Sequence, residues 1–125
     1  MHKIFINLSN HASAQWSEAQ TAAAKKYGEI IDLPFPQVPV NADHSALSAL
    51  ADKTFAEAMA MQPACVMCTG EPVLTFLLVD KFLNSGIKIV AACTERIAHE
   101  YTDESGKTHK NVLFDFAGFR EYFRQ

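Results

Sequence analysis

The chain alternates between short apolar runs and segments with apolar residues at helical spacing. Apolar runs at residues 3–8, 29–33, 64–68 and 87–92 have the length and the residue types of buried strands. Helical spacing appears at residues 14–27, in a segment that starts at Ser45, and at residues 72–84. The order βαβαβαβ is typical of a parallel sheet with helices on both faces.

Local signals mark where several of these elements begin and end. Gly28 closes the first helical segment, and Gly86 closes the last, as glycines that end helices do. Pro72 suits the first turn of a helix. Prolines recur in residues 34–43, which predicts an extended loop there.

The pattern changes after residue 96. Residues 97–102 and 110–116 predict two strands joined by a polar turn at residues 103–107. Alternating apolar residues favour a half-buried second strand, with Val112, Phe114 and Phe116 on one face. The tail predicts a short closing helix containing Phe119, Tyr122 and Phe123. Residues 1–125 are therefore expected to form a single Rossmann-type α/β domain with a mostly parallel sheet and a C-terminal β-hairpin.

Composition narrows the classes of function. The chain has 125 residues, 49% of them hydrophobic and 20% charged, which is the balance of one folded domain. A net charge of -3 excludes a generally basic surface for long duplex nucleic acid, but leaves room for a local anion pocket. No run is long and apolar enough to cross a membrane. An odd number of cysteines and the lack of a signal peptide before the first strand favour a reducing cytoplasm.

Several well-known motifs are missing. No G-x-G-x-x-G, P-loop or G-x-S-x-G sequence occurs, which excludes the usual dinucleotide, P-loop and nucleophile-elbow sites. Cys65 and Cys68 form a C-x-x-C, but within a strand they point to opposite faces and favour structural thiols. His99 and His109 are expected to face each other across the hairpin, and two histidines are too few for zinc. We expect neither a metal nor another cofactor.

Polar residues follow three of the predicted parallel strands. In open parallel α/β sheets, ligands bind beyond the carboxyl ends of the strands, where such residues would lie. The loops in question are Ser9-Asn10-His11, Thr69-Gly70-Glu71 and Thr94-Glu95-Arg96. Polar residues also cap helices in any α/β protein, so position alone leaves a functional and a capping role open.

The candidate residues have different competing roles. His11 can carry a proton near neutral pH, or it can be a surface histidine where a helix starts. Arg96 can clamp a phosphate with two hydrogen bonds, or pair with Glu95 or Glu71. Gly70 allows the backbone to approach either a ligand or the next helix. Both glutamates would repel a phosphate, so we expect them to cap a helix or to orient Arg96.

The second half of the chain contains short motifs in a characteristic order. These are Thr69-Gly70-Glu71-Pro72-Val73-Leu74-Thr75-Phe76, residues 83–86, Ala91-Ala92-Cys93-Thr94-Glu95-Arg96, and residues 114–122 with Phe119-Arg120-Glu121-Tyr122. In this order they resemble the small standalone CRISPR-associated proteins of CARF-like fold. The resemblance is strongest over residues 64–123.

The resemblance implies a homodimer that binds cyclic oligoadenylate, the second messenger of type III CRISPR immunity. We expect cyclic tetra-adenylate as the ring, and the C-terminal aromatic residues or the helix after the third strand as the dimer interface. Several members of the family are ring nucleases, which linearise the messenger and end the antiviral response. The alternatives are a module that senses or sequesters the messenger without cutting it, and a nucleotide-binding subunit with no CRISPR role.

Ring cleavage requires little from the protein. The ribose 2′-OH is the nucleophile and leaves a 2′,3′-cyclic phosphate, so neither a metal nor a protein nucleophile is needed. The protein aligns the reacting atoms and stabilises charge on the phosphoryl oxygens. The catalytic residues are then expected to be His11 and Arg96. The ligand-binding residues are expected to be Ser9, Asn10, Thr69, Gly70, Glu71 and Thr94.

Overall fold

A computed structural model describes residues 2–125, which form a mixed α/β fold around one five-stranded sheet. The strands are β1 (Ile4–Leu8), β2 (Glu29–Asp32), β3 (Cys65–Cys68), β4 (Lys88–Thr102) and β5 (Thr108–Glu121). The sheet order is β2-β1-β3-β4-β5. The first four strands run parallel, and β5 runs antiparallel to β4. The predicted fold class, a mostly parallel sheet with a C-terminal hairpin, is confirmed.

Three α-helices cover the two faces of the sheet. They are α1 (Glu18–Lys25), α2 (His44–Ala60) and α3 (Pro72–Asn84). One core cluster joins α1 to the sheet, and another joins α2 and α3 to its opposite face. Each helix begins after a residue whose side chain accepts a hydrogen bond from the first turn, namely Ser17, Asp43 and Glu71. No helix in residues 2–125 has the length and hydropathy that crossing a membrane requires.

Alternation along the strands divides the core between the two faces. In β1, Phe5 packs towards α1, whereas its neighbour Ile6 packs towards α2 and α3. Cys65 and Cys68 likewise lie in opposite clusters, as the sequence predicted. Burial raises the pKa of each thiol to about 12, so both remain protonated and unreactive near neutral pH.

The helix predicted over residues 14–27 is shorter than expected. A single 3-10 turn, Ser13–Gln15, comes first, and Trp16 then adopts an extended backbone. The Ser17 hydroxyl accepts a hydrogen bond from Gln20 N at 3.2 Å and starts α1 at that point. The serine therefore divides the segment and leaves Trp16 outside the helix.

The prediction of a loop at Thr94-Glu95-Arg96 is wrong, because β4 continues through these residues. Thr94, Glu95 and Arg96 pair with Phe116, Asp115 and Phe114 of β5. The antiparallel partner supplies backbone hydrogen bonds beyond the end of β3, so the chain does not turn. A register shift between Cys93 and Thr94 accommodates one extra residue of β5, a β-bulge that keeps the two strands paired.

The predicted closing helix is also absent from the described residues. Phe119 lies in β5, with its ring 5.4 Å from that of Phe5. The bulge places Phe116 and Phe119 on one face of the strand, with their rings 5.0 Å apart. Two aromatic residues three positions apart on one face are typical of a helix, so this strand has an aromatic pattern that resembles one. The tail is held by Tyr122 N, which donates to Ile89 O at 2.9 Å.

The last part of the hairpin extends beyond the body of the protein. We call residues 94–102 and 108–116, with the turn between them, the arm. Val112 and Phe114 were predicted to be half-buried, but both are exposed, because β4 and β5 pair only with each other in this part of the described sheet. His99 and His109 do not face each other, since Tyr101 stands opposite His109 and stacks between the two histidines.

Candidate functional site

The sheet order creates a crevice at the carboxyl ends of β1 and β3. These strands are parallel neighbours, with Leu8 aligned with Cys68. The chain leaves β1 towards α1 on one face and leaves β3 towards α3 on the other. Such a point, where connections diverge, is the usual ligand position in open α/β sheets. Ser9 and Thr69 are the first residues beyond the two strand ends.

A cavity of about 410 Å³ opens at this crevice. Four residues proposed from the sequence line it, namely Ser9, His11, Thr69 and Thr94. The remaining walls come from Gln15, Trp16, Ser17 and Gln20 before and in α1, from Met67 and Ala92 of the sheet, and from Phe114, Asp115 and Phe116 of the arm. The volume lies within the range of small-molecule sites.

The cavity combines aromatic rings with short polar side chains. Trp16, Phe114 and Phe116 contribute the aromatic surface. Gln20 Nε2 lies 3.8 Å from Met67 Sδ, a weak acceptor, so this amide retains hydrogen-bonding capacity for a ligand. Within residues 2–125, neither lysine nor arginine is among the lining residues. Such walls suit a flat heteroaromatic group with polar edges better than they suit a bare phosphate.

A buried hydrogen-bond network holds the loop after β1. The Ser9 hydroxyl donates to Asn7 Oδ1 at 2.6 Å and accepts from His11 N at 3.2 Å. Asn7 Nδ2 donates to His11 O at 2.8 Å and to Asp32 Oδ1 at 3.0 Å. Because the only hydroxyl proton of Ser9 is engaged, this serine mainly positions the backbone of His11.

Asp32 anchors the same loop from the neighbouring strand. Its carboxylate accepts from Asn7 and also from Ser13 N at 3.2 Å. Burial on its own would raise the pKa of Asp32, but the hydrogen bonds from Asn7 and Ser13 hold it below its ordinary value. Asn7 and Asp32 were missed by the sequence analysis. An asparagine inside an otherwise apolar strand was the signal that could have revealed the network.

The two predicted catalytic residues lie in different settings. His11 is exposed at the cavity, and its backbone is fixed on both sides by the network. Arg96 lies on the arm, on the same face as Thr94 and about 7 Å farther along the strand. Among the described residues, it forms no ion pair with Glu95 or Glu71. Arg96 is not itself a lining residue, but it stands opposite Phe114, which lines the cavity.

The other three predicted ligand-binding residues lie outside the cavity walls. A side chain at Gly70 would overlap the buried ring of Phe35, so this glycine serves core packing. Glu71 Oε1 accepts from Leu74 N at 2.7 Å, which is the helix-capping role. Asn10 lines a separate depression of about 180 Å³ on the other side of the loop.

Two other concave surfaces are chemically different. An open groove of about 770 Å³ runs along α1 and β2 and is lined by Lys3, Lys25 and Lys26. A second groove, of about 490 Å³, lies between α3 and the C-terminal tail and includes Phe76 and Phe123. Neither lies at the crevice between β1 and β3. Within residues 2–125, no group of three or more His, Cys, Asp or Glu side chains is arranged to hold a metal ion.

Comparison with protein families gives a match over most of the chain. Residues 3–120 match the family described as "Uncharacterized protein MJ1673 family". The chain belongs to this family. The chain matches no curated protein and no solved structure. The MJ1673 family match extends from before β1 almost to the end of β5, so the cavity and the arm both fall within it.

Proposed function

We propose that this MJ1673 family protein binds a cyclic oligoadenylate in the cavity between β1 and β3 and cleaves it. The cavity supports the proposal through its aromatic rings, its Gln20 amide and its position at the crevice of the sheet. The ligand class comes from the motifs at residues 69–76 and 91–96, which resemble those of CARF-like proteins. We expect the ring to be cyclic tetra-adenylate.

Binding would start with the bases. An adenine can stack on an aromatic ring such as Trp16 or Phe114, an interaction that contributes about 1–3 kcal/mol per base. The side-chain amide of Gln20 offers an adjacent donor and acceptor to the base edge. The phosphates would then extend towards the edge of the cavity, where Arg96 can make charge-assisted hydrogen bonds.

Cleavage would follow from alignment of the ribose. The 2′-OH attacks the adjacent phosphorus, the bond from phosphorus to the 5′ oxygen breaks, and a 2′,3′-cyclic phosphate and a 5′-OH result. His11 accepts the 2′-OH proton, a role that accelerates such steps by about 10²–10⁴-fold, and a proton from solvent completes the leaving 5′-OH. Arg96 stabilises the phosphoryl oxygens. Positioning of the reacting atoms can supply about 7–11 kcal/mol more, so a site with few catalytic side chains can suffice.

A second candidate function is binding without cleavage. The cavity walls contain no lysine or arginine among the described residues, and His11 is exposed. These features would favour a sensor or sequestering module for the same messenger. In both cases we propose a homodimer in the cytoplasm, because a ring with two-fold symmetry suits a two-fold assembly.

Incubation of the protein with cyclic tetra-adenylate in excess EDTA tests the proposal. Linear products formed over several turnovers support the enzyme, whereas a tight complex without products supports the sensor. If the protein neither binds nor cleaves the ring, both candidate functions are overturned.

Two variants locate the site. Trp16→Ala should weaken binding, whereas a Lys25→Ala, Lys26→Ala double variant should bind as the wild type does. The opposite result would move the ligand to the groove along α1 and β2.

A further inference from the structure

Within residues 2–125, the base of the arm contacts the body through Phe116, which packs on Phe119, but the outer part of the arm is mostly exposed. β3 pairs with β4 from Lys88 as far as Val90. Beyond Val90, β4 pairs with β5 alone. Apolar side chains are exposed on both faces of the arm, with Phe114 66% exposed on one face and Leu113 57% exposed on the other. Because a two-stranded ribbon is only marginally stable in water, a further strand paired with the arm would stabilise it.

One edge of the arm is open to another strand. Beyond Val90, the edge of β4 that faces away from β5 has no paired strand among residues 2–125. Natural edge strands are blocked by proline, by a bulge or by charged residues, above all lysine. Residues 94–102 do carry charges, on Glu95, Arg96 and Glu100, but these are of both signs and so can pair across a two-fold axis. Residues 94–102 contain neither proline nor lysine, whereas β5 carries Lys110 and the bulge. The β4 edge is therefore the better acceptor.

We propose that two copies of the chain associate by antiparallel pairing of these β4 edges, with the two-fold axis at Ala98. In this register, Arg96 stands opposite Glu100 of the partner subunit, and the symmetry repeats the pair. Residues that face each other across such an axis lie on the same face of the sheet, so the two charges are direct cross-strand neighbours. The proposal does not depend on the identity of the ligand.

Other symmetric registers lack this complementarity. An axis at Arg96 or at Glu100 would place identical charges directly opposite each other, which is destabilising. An axis at Ile97 or His99 would place Arg96 opposite Ala98 or Thr102 of the partner subunit. Among the axes compared, Ala98 is therefore the position that pairs Arg96 with an acidic residue of the partner subunit.

The same register brings the partner to the candidate site. Thr94, at the cavity, stands opposite Thr102 of the partner subunit. The turn at the tip of one arm would then lie beside the carboxyl end of β3 in the other copy, at the mouth of the cavity. Arg96 has enough donors to bind both Glu100 of the partner subunit and a ligand oxygen. Each copy would therefore help to complete the site of the other.

The α3 face is the competing interface. Val73, Phe76 and Phe123 are exposed there, as the sequence analysis anticipated for a dimer contact. That face has no open strand edge, and Arg124 already ties the tail to α3 by pairing with Asp80 and by donating to Asn84 Oδ1 at 2.7 Å. The arm has both open backbone groups and exposed apolar surface, so the observations favour it.

A charge exchange tests the proposal by light scattering and sedimentation at micromolar concentration. Arg96→Glu and Glu100→Arg should each weaken dimerisation at least tenfold, and the two together should restore it to within threefold of the wild type. Phe76→Ser is the control and should leave dimerisation unchanged. A monomeric wild type, single variants that dimerise normally, or dissociation caused by Phe76→Ser alone would overturn the proposal.

A crosslink provides a second test that does not rely on the charged variants. Ala98→Cys places two thiols across the axis, so mild oxidation should give a covalent dimer that reduction reverses. Leu113→Cys, on the strand away from the axis, should give little dimer beyond that of the wild type. Equal crosslinking of the two variants would contradict the register.

Discussion

Ser9 and His11 are close neighbours in one loop, but their side chains have different roles. Ser9 is buried and its proton is used within the network of Asn7, so it fixes the loop. His11 receives that support through its backbone and remains exposed at the cavity. A side chain takes part directly in binding or catalysis only if it is free to contact the ligand. This distinction makes His11 the more informative residue to change.

Replacement of His11 separates chemistry from binding. If His11 accepts the 2′-OH proton, His11→Ala should lower single-turnover cleavage about 10²-fold or more, with nearly unchanged binding. Rapid-quench assays measure the rate and titration measures the affinity. His44→Ala, in α2 on the opposite face of the sheet, is the matched control. A decrease of less than threefold would mean that positioning alone carries the reaction.

Arg96 affects binding as well as chemistry. If its guanidinium holds a phosphate, Arg96→Ala should weaken ligand binding by about 1.5–3 kcal/mol and leave the fold intact. Calorimetric titration and circular dichroism measure the two properties. Arg120→Ala, farther along β5, should bind normally. An unfolded Arg96→Ala protein would instead identify a structural residue.

The loop network makes folding stability depend on pH through Asp32. Hydrogen bonds lower the pKa of Asp32 in the folded protein, so its stabilising effect is present above the pKa of the unfolded chain. The effect is lost as the pH falls through the folded value. Urea unfolding of the wild type and of Asp32→Asn should therefore differ most near neutral pH and converge once the pH falls below the lowered pKa of Asp32 in the folded protein. A difference that stays constant between these limits would exclude the ionised carboxylate as its source.

At the scale of elements, the locally encoded ones were predicted best. Helix α3 has the predicted bounds, because Pro72 and Gly86 mark its ends within the sequence itself. β4 was predicted too short, because its continuation depends on pairing with β5, a partner that local patterns do not reveal. The closing helix was predicted where β5 continues. The bulge places Phe116 and Phe119, three residues apart, on one face of the strand, a spacing that is typical of a helix.

The site shows the same division. Ser9, His11 and Thr69 could be found because they directly follow strands, a position visible in the sequence. Trp16 and Gln20 were missed as site residues. Ser17 ends the predicted helix early at its N-terminal side, so Trp16 lies outside α1, and both Trp16 and Gln20 line the cavity. Thr94 was proposed as a loop residue and reaches the cavity from within a strand. Contacts between distant segments were thus the missing information.

The turn into α3 permits a test of packing between elements. Gly70 lies against the ring of Phe35, which is buried in the extended loop after β2. Gly70→Ala should therefore reduce the free energy of unfolding by about 1–3 kcal/mol, the usual range for overpacking. Urea denaturation measures this value. In a Phe35→Ala background the same change should have little effect, whereas equal effects in both backgrounds would show that the ring is not responsible.

At the scale of the whole molecule, the protein consists of a packed body and a projecting arm. Both core clusters draw on the sheet up to Ala92 and Phe119, and the residues of the arm are absent from them. The arm nevertheless supplies Phe114 and Phe116 to the cavity. Stability therefore resides in the body, whereas the site depends on both parts.

Shortening of the arm should separate these contributions. In a variant whose residues 96–114 are replaced by Asn-Gly, a sequence that favours tight hairpin turns, the body should still fold cooperatively. We expect its free energy of unfolding to change by about 1 kcal/mol or less, because mostly exposed residues are removed. Ligand binding should be lost with Phe114 and Arg96. Urea unfolding and ligand titration measure both outcomes. A loss of stability above about 3 kcal/mol would instead mean that the arm and the body form one cooperative unit.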